Sequence, residues 1–254
     1  RYKDAAVEYR IAASFSDNAS VAATATRVAH SYGFDQDAIK SALRWVKLDQ
    51  ESEEALLYVA QIYLRLGKIR ESRRNFEKLL RRGKEPVDQQ LLRLIPILGR
   101  EDSERAYQLI RQLARPYSKS AYAHYAVAVL ALEAGYVETA SKRAQEAIEL
   151  DPDWVRPHLV YARAILVSGD EEKAIDYTAR LIGDDPEPDP EARLELAIIL
   201  VSVGRDDDAL SQVNQVMLEQ PHRPDGLRLM AIINFRLNRL DAAQSDFEDL
   251  LATG

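Results

Sequence analysis

Apolar residues recur along this chain at the i, i+3, i+4, i+7 spacing of amphipathic helices for nearly its whole length. The stretches Glu54 to Leu64 and Ile69 to Leu80 show the pattern well. Each predicts a helix of about three to four turns. Short turns interrupt the pattern on a regular beat. Tyr32-Gly33-Phe34, Leu66-Gly67-Lys68, Leu98-Gly99-Arg100, Ala134-Gly135-Tyr136, Ser168-Gly169-Asp170, Val203-Gly204-Arg205 and Leu237-Asn238-Arg239 follow one another at 34, 32, 36, 34, 35 and 34 residues. Glycine, or Asn once, is what a left-handed helix C-cap prefers, so each turn is expected to end one helix and lead into the next. Pro152, Pro186 and Pro221 fall where the second helix of a pair should stop, because proline cannot continue a helix. Loops of a few residues make the neighbours antiparallel. The fold expected is all-α, a solenoid of antiparallel helix pairs.

Small residues recur seven positions before the turn, at Ala60, Ala128, Ala162, Ala197 and Ala231. They recur five after it, at Ala38, Ser72, Ala140, Ala174, Ala209 and Ala243. Only small side chains let two helix axes approach closely at a fixed crossing. Four residues further on, Phe76, Val213 and Phe247 are expected to fill the seam between repeats. On these marks residues 1–254 form a single array. A lone second helix occupies 1–14, and repeats follow at about 17–49, 52–83, 87–116, 119–151, 153–185, 188–220 and 223–252. The repeat around Gly99 is irregular: Pro96 sits one turn before the end of its first helix, and the next small residue, Ala106, comes two positions late. The superhelix is expected to change curvature there. Neither end carries a polar capping helix, and the chain opens without Met in a helical pattern. It reads as a fragment of a longer array, or as one that self-associates through uncapped ends.

Composition narrows the chemistry. There is no Cys, which removes disulfides, thiol catalysis and cysteine–zinc sites. No apolar run approaches the roughly 18 residues of a membrane span, so no direct membrane insertion by this segment is expected. Charge is uneven. Residues 1–120 carry 22 Lys and Arg against 16 Asp and Glu, a net of +6; residues 121–254 carry 12 against 25, a net of −13, which together give −7. Solvated helix faces account for this, or else a two-ended molecule whose N-terminal half prefers acidic partners.

A search for catalytic or metal sites gives none. The four histidines, His30, His124, His158 and His222, are not paired at i and i+4 on one helix, as a zinc site needs. His124 and His158 lie 34 residues apart at one repeat position, where a bulky first-helix packing role competes with a shared metal or pH-sensitive pair. The carboxylate runs Asp206-Asp207-Asp208 and Asp184-Asp185-Pro186-Glu187 stand at helix starts, where they complement the dipole and serve as caps. They lack the alternation and closing Glu of a calcium loop. No glycine-rich phosphate loop exists, and no cofactor is expected. The basic run from Arg65 through Arg70, Arg73, Arg74, Lys78, Arg81 and Arg82 to Lys84 is interrupted by Glu71, Glu77 and Glu85. A solvated helix with intrahelical salt bridges is expected, with no nucleic acid partner.

The 34-residue helix–turn–helix period, with small, small, aromatic-or-aliphatic and proline residues at these offsets, resembles the tetratricopeptide family. The stretch Gly135, Ala140, Ala144, Ala147, Asp151, Pro152 follows that family's pattern nearly position for position. The resemblance covers almost the whole chain and implies a right-handed superhelix whose first helices line a concave groove. Groove positions implied lie about thirteen, ten, six and three residues before each turn. They are Arg27 and His30; Leu57, Gln61 and Leu64; Gln89 and Arg93; Tyr122, Tyr125, Val129 and Leu132; Arg156, Leu159, Arg163 and Leu166; Leu194, Ile198 and Val201; and Arg228, Ile232 and Phe235. This is an apolar band with Arg interleaved and two tyrosines one turn apart, the usual anchors of protein interfaces. The Lys and Asn clamp of the chaperone-tail branch is not matched, since the six-before position holds Arg27, Gln61, Arg93, Val129, Arg163, Ile198 and Ile232.

The function so implied is that of a non-enzymatic scaffold or adaptor binding protein partners or extended segments in the groove. A substrate-recruiting arm of a larger enzyme and a homo-oligomerising structural solenoid are the alternatives. Leu56–Gly67 and Ala144–Gly169 further resemble tetratricopeptide lipoproteins of the Gram-negative outer membrane. That likeness implies an adaptor that recruits and activates a carboxyl-terminal processing protease at the periplasmic face. A cytoplasmic location is the alternative.

Overall fold

Three-residue turns fold this chain back on itself again and again. A computed structural model describes residues 2–183 and 188–253, and no strand occurs among them. The chain divides into two compact units, residues 1–135 and 136–254. The first holds α1 (Tyr2–Phe15), α2 (Ala19–Ser31), α3 (Asp35–Leu48), α4 (Glu53–Arg65), α5 (Ile69–Leu80), α6 (Val87–Leu98), α7 (Ser103–Ala114), a 3-10 turn (Arg115–Tyr117) and α8 (Ala121–Glu133). The second holds α9 (Val137–Leu150), α10 (Val155–Val167), α11 (Glu171–Ile182), α12 (Pro190–Ser202), α13 (Asp206–Glu219), α14 (Pro224–Arg236) and α15 (Leu240–Ala252). The architecture is the all-α repeat solenoid expected. Among the described residues no helix is long and apolar enough to cross a membrane.

The regular turn has one mechanism. After α4 the Gly67 N–H reaches the Leu64 carbonyl at 2.9 Å and the Lys68 N–H the Tyr63 carbonyl at 2.8 Å, with Gly67 at φ +72°. That satisfies carbonyls the helix end leaves open, and only the left-handed region allows it in so few residues. Asn238 takes the same role at φ +58°. Gly99 corrects the expectation. Its φ is −63°, in the right-handed region, and its N–H still bonds the Ile95 carbonyl in helical fashion. The physical reason is loop length. Residues 99–102 make a four-residue connection between α6 and α7, one longer than the others, and Asp102 caps the Arg105 N–H instead.

The small positions do what close packing requires. Ala60, Ala128, Ala162, Ala197 and Ala231 are fully buried, as are Ala38, Ser72, Ala140, Ala174 and Ala209, with Ala243 nearly so. Ser72 adds a bond from its Oγ to the Ala60 carbonyl at 2.8 Å, tying α5 to α4 without a larger side chain. The seam position behaves unevenly. Phe76 and Val213 are fully buried, but Phe247 is 41% exposed. It lies on α15, which among the described helices packs against α14.

Pro152 and Pro221 follow α9 and α13, as expected. Pro186 and the Asp184–Glu187 run lie outside the described residues. Asp206, Asp207 and Asp208 occupy the first turn of α13, where they complement its dipole, but they do not cap it. Asp206 instead pairs with Arg236 at 2.7 Å, Asp207 with Arg239 at 3.0 Å and Asp208 with Arg205 at 2.8 Å. A long guanidinium can reach carboxylates one repeat away, and that competes with local capping.

Candidate functional site

In the second unit the first helices α10, α12 and α14 frame a cleft of about 500 Å³. Its apolar lining comes from Leu159, Leu194, Ile198, Val201, Leu229 and Ile232, and its polar lining from Arg163, Glu191, Glu195, Arg223, Asp225 and Arg228. Spacings of three and four along each helix bring these groups to one face. The cleft thus gathers seven residues that sequence assigned to the groove: Leu159, Arg163, Leu194, Ile198, Val201, Arg228 and Ile232. Ile198 and Ile232 are 39% and 40% exposed, large aliphatic surfaces that an apolar group can cover. Leu159 and Leu194 are buried beneath them and form its floor. Arg156, the half-buried Leu166 and the exposed Phe235 lie outside the cleft lining.

The arginines are not equivalent. Arg163 on α10 makes a two-pronged bond to Glu195 on α12, its Nε at 2.6 Å from one oxygen and its terminal nitrogen on the other. Glu195 is only 2% exposed, so this guanidinium is held in place by a buried charge. Arg156 reaches both oxygens of Glu191 at 3.3 and 3.2 Å, and Arg223 both oxygens of Asp225 at 2.8 and 3.1 Å. The Arg223 bond holds the Asp225 carboxyl below its usual range. Arg228, exposed on α14, makes no ion pair among the described residues. Once the pairs cancel, it is, among the described residues, the one cation lining the cleft that makes no ion pair.

The first unit repeats the theme on a smaller scale. Leu57 and Arg93 line a second cleft of about 360 Å³ with Glu53, Glu54, Leu94 and Ile97 among its walls. Arg27 bonds both oxygens of Glu54 at 2.8 and 2.7 Å and lies 5.2 Å from the centre of the Trp45 ring. Arg93 pairs with Glu85 at 2.7 Å. Gln61, Gln89, Tyr122, Tyr125, Val129 and Leu132 are half-buried. Leu64 corrects the groove assignment: it is fully buried and offers a partner nothing. Position on a helix face fixes direction, and here the neighbouring helices cover that direction.

His30 stands edge-on to Tyr58 at 5.1 Å, and its Nε2 is buried with no hydrogen-bond partner. Burial, and then the nearby Arg65 charge, push its pKa down; Glu101 and Asp35 oppose this. The folded state therefore favours the neutral ring. The stability it contributes is present above the unfolded value of about 6.5 and is lost as pH falls below it. His30→Phe keeps the ring contact and cannot titrate. Between pH 7 and pH 5 the melting temperature of the native chain should fall further than that of His30→Phe. Parallel melting curves for the two would show that His30 carries none of this dependence.

His124 and His158 prove to have the same job in their separate units. Each Nε2 bonds a loop carbonyl six residues earlier, Ser118 at 2.9 Å and Pro152 at 2.9 Å. A carbonyl only accepts, so Nε2 carries the proton in both. In His158 the Nδ1 then accepts from the Tyr177 hydroxyl at 2.7 Å. Burial and the neighbouring Tyr161 push that phenol up to about 12. These rings fasten loops to first helices. Among the described residues no group of three His, Asp or Glu is arranged to hold a metal ion.

The family model for the tetratricopeptide repeat matches residues 166–233, the stretch from the end of α10 into α14 that builds most of the cleft. Among solved structures the chain is similar to a tetratricopeptide repeat protein from Parabacteroides merdae, with a TM-score of 0.60 and 17% identity over 93% of each chain. It is also similar to a chain of the APC/C hetero-tetramer Cut9-Hcn1, with a TM-score of 0.51 and 17% identity over 93% of this chain and 47% of that one. No curated protein matches it. At such identity the likeness is one of fold: a tetratricopeptide-type solenoid. Solenoids of this kind generally act as scaffolds that bind other proteins on extended surfaces, without chemistry of their own.

Proposed function

We propose that this chain is a protein-binding scaffold that holds an extended segment of a partner in the cleft between α10, α12 and α14. One observation carries the proposal: exposed Ile198 and Ile232 stand in a cleft whose only unpaired cation, among the described residues, is Arg228. Aliphatic surface supplies the affinity, and an unanswered guanidinium selects the partner. The fit is a segment with an apolar side chain and a nearby carboxylate. The second unit is acidic overall, so a densely acidic segment is repelled at range and a single carboxylate is favoured.

A photo-crosslinking residue at position 232 should capture a partner protein in extract of the source cell. One at Leu218, 84% exposed on α13 and outside the cleft, should not. Arg228→Ala should weaken the captured partner's binding about tenfold, the loss of one charge-assisted hydrogen bond. Equal capture at both positions, or unchanged affinity in Arg228→Ala, counts against the cleft. If the captured protein is an enzyme's substrate, the chain is the recruiting arm of that enzyme. An outer-membrane adaptor of a carboxyl-terminal processing protease gains no support from the structural relatives, and we do not propose it.

A further inference from the structure

The strongest charge feature outside the cleft lies on α5. Arg70, Arg74 and Lys78 of α5 and Arg81 at its C-cap are spaced four, four and three residues apart, which puts them on one helix face over about 16 Å. All four are exposed, and among the described residues none makes an ion pair. Sequence predicted a solvated helix with intrahelical salt bridges. Within α5 only Arg73 and Glu77 pair, at a loose 3.4 Å. Glu71 has Asn75, not a cation, at i+4, and Glu85 is taken by Arg93 of α6. The stripe is therefore a local excess of charge that the chain itself does not answer.

A cavity of about 420 Å³ opens beside it. Arg74, Lys78 and Arg81 line one side, and Leu43 of α3 and Tyr63 of α4 supply an apolar side. Leu43 is 45% exposed, whereas Ile39 and Trp45 of the same helix are buried and Val46 and Leu48 half-buried. Cations in a row beside the exposed Leu43 side chain and the half-buried Tyr63 ring are the two halves of one recognition surface. From this we infer that the α3–α5 face docks an acidic protein segment that also carries an apolar side chain, seated on Leu43 and Tyr63.

The lining speaks for a peptide over a nucleic acid. Glu71 and Glu77 stand in the same lining as the cations. A phosphodiester chain is charged at every unit and must set phosphates against those carboxylates. A peptide can place uncharged residues there and aim its acids at the stripe. The surface is separate from the α10–α12–α14 cleft and does not depend on it.

The test uses three labelled probes of equal length: a Glu and Ser peptide with one central Phe, the same peptide with Ser in place of Phe, and oligo-dT. The Phe peptide should bind best, and more weakly as salt is raised. A double variant, Arg74→Glu with Lys78→Glu, should weaken it about tenfold or more. Leu43→Ser should bring the Phe peptide down to the level of the Ser peptide and leave the latter unchanged. Arg228→Ala should alter none of these. All the substituted residues are exposed, and unchanged circular dichroism confirms that the variants fold. Tighter binding of oligo-dT than of the Phe peptide, or indifference of the Phe peptide to either α5 charge or Leu43, overturns the inference.

Discussion

Phe76→Ala should cost about 3–5 kcal/mol of stability, and Phe247→Ala under about 1 kcal/mol, although both remove the same ring from the same place in the repeat. Each Phe lies nine residues after its turn. Phe76 is fully buried, so its removal forfeits the transfer energy of the ring and leaves a cavity that close-packed neighbours only partly refill. Phe247 is 41% exposed and leaves a dent open to water. Urea denaturation midpoints of the two variants check this directly. Solenoids unfold in segments, so the Phe76 variant should lose the helical signal of the first unit at lower urea than the rest. Equal losses in the two variants would mean that the seam packing described for α5 is wrong.

Arg163→Ala should destabilise the second unit by about 2–3 kcal/mol, an effect easily mistaken for lost binding. Removing the guanidinium strands Glu195, which is 2% exposed and, among the described residues, pairs with no other cation. The half-exposed Arg163 side chain admits some water to the gap, and this holds the cost below that of a fully enclosed pair. Changing both residues to Leu should restore most of the loss, because an apolar pair leaves no buried charge. Arg228→Ala should leave stability unchanged within about 0.5 kcal/mol, since that group makes no ion pair to lose. Thermal melts of the four proteins separate the two roles. A native-like melt for Arg163→Ala would show that Glu195 is solvated or satisfied elsewhere.

Much of this was legible in the chain. The repeat length, the turn residues and the small positions each follow from a local rule, and Gly67, Ala60 and Ala174 obey it. Gly99 was misassigned because a glycine reports what a turn permits, not how many residues the turn spends. The groove helices were legible as faces, but Leu64 shows that a face is not yet a surface. The ion pairs were missed altogether. Arg163 and Glu195, Arg156 and Glu191, and Arg65 and Glu101 lie 32, 35 and 36 residues apart, so no helical spacing flags them. A scan for acids about one repeat downstream of each arginine would have found these three, but not the partner of Arg93, which bonds Glu85 eight residues upstream. The free stripe on α5 was hidden for the converse reason: Glu71 and Glu77 stand close to its cations in sequence and in space, yet Glu77 pairs with Arg73 and Glu85 with Arg93.

Hydrogen exchange of the chain with and without its captured partner tests the central claim most directly. Bound partner should slow exchange in 156–166, 191–201 and 225–235, the first-helix segments that frame the cleft, and leave α13 and α15 unchanged. Protection confined to α11, α13 or α15, with none on α10, α12 and α14, would contradict it.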